Sequence, residues 1–169
     1  DGTDDYVKID ASSGLVTGAP FTVSAWAYLE GGTVDQYPCI MTDMGGCGSG
    51  SAGFSLIHNK YTPAVVGLSY YCTSYHYALE TINLTGRWYH IAMTVDQSKL
   101  TLYRDGVERA SRATPLFTAS TQIVMWIGWD NRGPGLGRWK GKLDDIRVYQ
   151  GALTSNDINS LMEPFLDYD

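Results

Sequence analysis

The chain is poor in the features that would place it in several large functional classes. Only three of its 169 residues are cysteine, at Cys39, Cys47 and Cys72. No two are spaced as CxxC and no histidine pair lies near them, so the zinc patterns are missing. Twelve Lys and Arg stand against 18 Asp and Glu, a net charge of −6. No basic stripe of the kind nucleic acid requires is visible, and an acidic surface is a poor match for an anionic membrane. No apolar run approaches the roughly 20 residues of a membrane-spanning helix. No secretory signal opens the chain, which starts at Asp1 as a mature protein or an excised module of a larger one would. The GxSxG elbow and the P-loop are absent, and "GPGLG" at 133–137 lacks the strand–turn–helix setting of a dinucleotide site. The expected partners therefore exclude nucleic acid and membrane.

What the chain has in quantity is Tyr (12), Trp (5) and Gly (19). Short apolar-alternating runs recur throughout, among them "FTVSAWAYL", "GFSLIH", "AVVGLSYY", "WYHIAMTVD" and "LDDIRVY". Each has strand length, and Gly, Asn, Asp or Pro separates it from the next. The clearest hairpin is "VDQSKLTLYRDGVE", with turns at Asp96–Ser98 and Arg104–Gly106. Many short strands without intervening helices predict an all-β, antiparallel β-sandwich, a single domain over residues 1–169. One short helix is expected in "ALTSNDINSLM", where Thr154 is the N-cap and Asp157 has capping-box spacing. Ile158, Leu161 and Met162 would form its apolar face, plugging the sandwich.

Several residues carry candidate chemistry. Trp26, Trp88, Trp126 and Trp139 are expected in the core. In "YYCTSYHY", Tyr71, Tyr75 and Tyr77 share one face if the strand runs on unbroken. Tyrosines so placed would offer a platform to the apolar face of a sugar ring. The loop "WDNRGPGLGRW" would present Trp129, Asp130, Asn131 and Arg132, and "EGGTVDQYP" would add Asp35, Gln36 and Tyr37 to the rim. Each of these also has an ordinary reading as sheet cover or solvated loop. Alternation in "KLDDIRVY" puts Asp144 on the same face as Ile146 and Val148, an apolar face where a carboxylate needs a partner. The Gly-rich loop around Cys47 suggests a disulfide tether with its partner open, fitting a secreted protein.

Four segments in register resemble the laminin-G-like, concanavalin A-like lectin/glucanase jelly rolls: "DGTDDYVKI", "FTVSAWAYL", "RWYHIAMTVDQSKLTLYRDGVE" and "IGWDNRGPGLGRWKGKLDDIRVYQGALTSNDINSL". The resemblance spans nearly the whole chain and implies a jelly-roll sandwich. It also implies a structural Ca2+ held by Asp144, to which Asp5 or Asp10 could contribute. The ordinary alternative is that Asp144 caps a turn or pairs with Lys142 or Arg147. Retaining glucanases of that superfamily carry E-x-D-x-x-E, with catalytic carboxyls about 5 Å apart. Neither that triplet nor the lyase pattern R-[TS]-E-L-R occurs here. The expected function is thus a non-catalytic module that binds a polysaccharide or glycan, part of a larger extracellular protein. The alternatives are a laminin-G-like adhesion module contacting protein and, third, a polysaccharide-degrading enzyme.

Overall fold

A computed structural model describes residues 4–10, 20–31, 35–43, 52–71, 74–113, 124–130 and 137–162, with backbone alone at 52, 68–71 and 74. The strands are β1 (Val7–Ile9), β2 (Phe21–Leu29), β3 (Cys39–Thr42), β4 (Ala52–Asn59), β5 (Ala64–Tyr71), β6 (Ser74–Thr81), β7 (Trp88–Val95), β8 (Lys99–Arg104), β9 (Val107–Ala113), β10 (Met125–Ile127) and β11 (Gly141–Tyr149). They form two antiparallel sheets: sheet A in the order β1-β10-β3-β4-β5-β6, and sheet B in the order β11-β2-β7-β8-β9. The expected sandwich is what the chain adopts.

Period-2 alternation builds the core between the sheets. From sheet B come Phe21, Val23, Ala25, Ala27 and Leu29 of β2, with Ile91, Met93 and Val95 of β7. Sheet A answers with Ile40, Phe54, Leu56, Val65, Met125 and Ile127. Gly67 of β5 shows how closely the layers meet. A Cβ there would lie 2.9 Å from the Met93 sulfur of the opposite sheet, so its lack of a side chain makes room for Met93.

Both predicted turns of the β7–β8–β9 meander form. Asp96 Oδ1 accepts the N–H groups of Ser98 and Lys99 at 2.6 and 2.7 Å. Asp105 and Gly106 both have positive φ, 50° and 74°, the signature of a type I′ hairpin. A Cβ on Gly106 would collide with Asn159 Oδ1, so the turn is also the seat of helix α1 (Ser155–Ser160). Thr154 and Asp157 make the predicted reciprocal capping box. The helix does not plug the sandwich as expected: Ile158 packs on Ala92 and Tyr103, on the outer face of sheet B. Thr22 ties the preceding segment to the same face, donating to Gly151 O and accepting from Leu153 N–H.

The two long sides of the sandwich differ. On one, Glu80 of β6 accepts from Arg104 Nη2 and Nε of β8 at 2.8 and 2.9 Å, and Arg109 Nε of β9 stands 3.6 Å away. On the other, the edges β1 and β11 leave a slot of about 330 Å³ lined by Val7, Ile127, Leu143, Ile146 and Trp139.

Two expectations about faces are corrected. Of the four tryptophans assigned to the core, Trp88 and Trp126 are only partly buried, and Trp26 is buried as expected, 8% exposed, but outside the cluster between the sheets. Trp26 and Trp88 alternate with core residues of β2 and β7 and so face outward on sheet B. Trp126 sits between the core residues Met125 and Ile127 and faces outward on sheet A. Trp139 is in the cluster between the sheets, 4% exposed, donating its indole N–H to Tyr28 O. Second, Asp144 does not share a face with Ile146 and Val148. A bulge between Asp144 and Arg147, with Asp145 at φ 46°, resets the alternation. Leu143 and Val148 pair with core residues of β2, whereas Asp144 pairs with the outward-facing Trp26.

Candidate functional site

The outer face of sheet B is largely occupied. Trp26, His90, Ala92, Tyr103, Thr22 and Ser24 on it are all buried. The exposed aromatic side chains concentrate instead on the outer face of sheet A. In β6, Tyr75, Tyr77 and Leu79 point away from the core and are 45%, 46% and 40% exposed. Ala78, between them, is in the core. With Tyr37, Ile57, Asn59 and Val66 they line a groove of about 490 Å³. Its floor is apolar, because Ile57, Val66, Cys39 and Ala64 pack as one cluster beneath Tyr37. Tyr37 is held by Gln36, whose Nε2 donates to the phenol oxygen at 3.2 Å. Asn59 Oδ1 accepts the Tyr61 N–H at 3.0 Å, which leaves the carboxamide NH₂ as a donor at the groove rim. Arg112 of β9 stands over the Tyr77 ring, 5.6 Å from its centroid.

A second aromatic cluster lies at the opposite edge of the same face. Tyr6, Trp126 and Trp129 are in mutual contact, with centroids 4.8–5.2 Å apart. Lys8 is placed over Trp126 at 5.7 Å. Tyr6 and Trp129, together with Asp4, Asp5 and Arg138, surround a cavity of about 100 Å³. Asp35 connects this cluster to the groove. Its Oδ2 accepts the Arg138 backbone N–H at 2.9 Å and lies 3.9 Å from the guanidinium, one residue before Gln36 and two before Tyr37.

The structure thus gathers Tyr37, Tyr75 and Tyr77 in one groove, steadied by Gln36, and joins Asp35 to the Trp129 cluster. Tyr71 departs from the expected pattern. Ser74 pairs with Tyr71 and Tyr75 with Tyr70, because β5 and β6 are two separate strands in antiparallel register. The strand therefore does not run on unbroken, and Tyr70 is the residue across from Tyr75. Asp130 is buried, 2% exposed, and not displayed beside Trp129. Asn131 and Arg132 lie outside the described residues, as do Cys47 and Cys72. Among the described residues there is no disulfide, and the Cys39 thiol is buried 3.9 Å from Leu56 O. Tyr6, Trp126, Ile57, Val66 and Leu79 are additions. Leu79 shares parity with Tyr75 and Tyr77 and was readable from the strand; Ile57 and Val66 join only through cross-strand register.

The carboxylates expected to hold calcium do not come together. Asp144 is exposed on the outer face of sheet B, its Oδ1 accepting the Asp145 N–H at 2.7 Å. Asp10 is exposed and paired with Lys8 at 3.1 Å, and Asp5 lies at the β1 slot. Among the described residues no three His, Cys, Asp or Glu side chains are placed to hold a metal ion. Asp43 is different. It follows β3, is 4% exposed, and its Oδ1 accepts the Phe54 N–H at 2.5 Å. Burial pushes its carboxyl up to about 7. Burial likewise holds His90 down to about 4, against the opposing pull of Asp145 and Asp105. His90 and His58, both in the strand interior, behave as structural residues.

Residues 1–159 match the pattern of the concanavalin A-like lectin/glucanases superfamily. The chain belongs to that superfamily. No curated protein sequence matches the chain. Among solved structures, domain 4 of AbnA, an extracellular GH43 arabinanase from Geobacillus stearothermophilus solved with arabinotriose, shares 25% identity at a TM-score of 0.68. The alignment covers 88% of this chain and 68% of that one. A proposed carbohydrate-binding protein from Bacteroides ovatus is 22% identical at TM-score 0.69, covering 91% of this chain and 43% of its own. A heptameric SAP-like pentraxin from Limulus polyphemus is 16% identical at TM-score 0.63, covering 87% and 71%. The latter two likenesses concern the fold.

Proposed function

We propose that this superfamily member is a non-catalytic carbohydrate-binding module of a larger extracellular protein. The observation that carries the reading is the groove on sheet A. Two half-exposed tyrosines, held two residues apart on one rigid strand, face a third ring fixed by a glutamine. Such rings match the apolar faces of sugars, while Asn59, the phenol groups and Gln36 supply hydrogen bonds for hydroxyls. Among the described residues no carboxylate lines the groove, so the paired acids of a retaining or inverting glycosidase have no counterpart among them. The AbnA domain, a part of an extracellular enzyme solved with arabinotriose, supports both the ligand class and the setting.

Affinity electrophoresis through gels containing a panel of neutral and acidic polysaccharides tests this. Retardation in at least one gel, relieved in Tyr77→Ala, is expected. Uniform mobility across the panel would reject the reading and favour a protein-contacting adhesion module, which the apolar Leu79, Ile57 and Val66 of the groove would suit.

A further inference from the structure

The cavity beside Trp129 is built as firmly as the groove and lies apart from it. Tyr6 and Trp129 form its aromatic walls, and Asp4, Asp5 and Arg138 supply charged groups. Trp129 stands between two pinned neighbours. Gly128, at φ 78°, donates its N–H to Ile40 O at 3.1 Å and accepts the Trp139 N–H at 2.8 Å. Asp130 is buried and donates its N–H to Gly137 O at 3.3 Å. Trp129 itself stays partly exposed between them. A Cβ on Gly128 would lie 3.6 Å from Asp5 O, so the chain entering β1 passes close over this segment. It sets Tyr6 against Trp129, with 4.8 Å between centroids. Asp35 fixes the backbone of Arg138 at 2.9 Å. Groups held in this way lose little freedom when a ligand arrives.

The cavity and the groove do not merge. Trp126, which packs on Tyr6 and Trp129, shares a cross-strand row with Tyr77. The two stand four strands apart, about 19 Å at roughly 4.8 Å per strand. Thr42 and Ser55, in the same row, are buried and bonded to each other at 2.6 Å, so the row is closed between its ends.

We infer that the Tyr6–Trp129 cavity is a second sugar site, independent of the groove, and that the module is bivalent. The ligand class rests on the reading above. Size sets what each site takes: about 100 Å³ here, against about 490 Å³ for the groove, so the cavity receives one sugar unit of a chain. Its ring packs against Tyr6 and Trp129. The Asp4 and Asp5 carboxylates accept from its hydroxyls, and the Arg138 guanidinium donates to them. Two sites on one rigid body also raise the effective concentration for the second contact of a polymer long enough to reach both.

The test titrates arabino-, xylo- and cellotriose by calorimetry and follows indole fluorescence in parallel. The described lining of the groove holds tyrosine and no tryptophan, so a change in indole emission reports binding outside it. For the triose that binds, two sugars per chain are expected. Tyr77→Ala should leave one of them and keep the emission change. Tyr6→Ala, at a half-exposed residue, should leave the other and weaken the emission-detected affinity about fivefold or more. Trp129→Ala is a second variant, and thermal melting checks all the folds. One sugar per chain, bound without an emission change and lost in Tyr77→Ala, overturns the second site and leaves the groove reading standing. One sugar per chain that is lost in Tyr6→Ala and untouched by Tyr77→Ala overturns bivalency and the groove reading. Absence of an indole response to all three trioses overturns the second site whatever the polysaccharide gels show; uniform mobility in those gels overturns the groove reading as well.

Discussion

Asp43→Asn isolates the cost of a buried charge beneath the binding face. The unfolded chain releases the Asp43 proton near pH 3.8, whereas the folded chain keeps it to about pH 7. Between those values the folded state holds the additional proton, so stability falls as pH rises. The displacement from 3.8 to about 7 corresponds to roughly 4 kcal/mol at the limit. His90 opposes this over nearly the same interval. Burial keeps it neutral down to about pH 4, so acidification below pH 6.5 protonates the unfolded chain first and lowers stability. His58 is shifted in the same direction by burial. The wild-type pH profile sums these opposing slopes, and only the difference between variant and wild type separates them. Asparagine keeps an oxygen for the Phe54 N–H. Urea unfolding at pH 4.5, 6 and 8 should therefore show the variant's advantage smallest at the lowest pH, about 1 kcal/mol, and growing to about 2–4 kcal/mol at pH 8. A variant less stable than wild type at pH 8 would refute the reasoning, because the ionised carboxylate would then have a cationic partner that offsets its burial.

Tyr75→Ala and Tyr77→Ala should each weaken binding of a retained polysaccharide by roughly 1 kcal/mol, about fivefold, with an unchanged melting temperature; loss of folding would show that these rings are structural. Gly106→Ala forces a side chain into positive φ and against Asn159, and should cost about 2–3 kcal/mol, lowering the melting temperature by roughly 5–10 °C. Asp144→Ala removes one hydrogen bond to the Asp145 N–H and should cost less than about 1 kcal/mol, with the same melt in calcium and in chelator; a calcium-dependent stabilisation lost in the variant would restore Asp144 as a metal ligand.

Much of the fold was legible because its signals are local. Asp-Gly at 105–106 dictates a tight hairpin, and Thr154 with Asp157 dictates a helix start, whatever surrounds them. The alternation of β2 even held the answer for Trp26. If Phe21, Val23, Ala25 and Ala27 face the core, Trp26 cannot, and only its apolar character argued otherwise. Trp126 was harder, since Met, Trp and Ile in succession give no contrast between faces. Parity failed wherever one residue broke the count. Asp145 in the left-handed region moved Asp144 to the outer face, and the antiparallel pairing of β5 with β6 exchanged Tyr70 for Tyr71 opposite Tyr75. The groove itself draws on four separate stretches of the sequence, and cross-strand register, which no single strand encodes, brings Ile57 and Val66 under Tyr37.

The contrast between the two long sides gives the sandwich a spine and a fore-edge. Where Glu80 grips two arginines, opening the layers would strand charges that burial has partly stripped of water. Along β1 and β11 the slot is lined mainly by apolar side chains, and β1 contributes just three residues to its sheet. Fluctuations that part the layers should begin at that free margin, so amide protection against deuterium should decline from β7 and β8 towards β1.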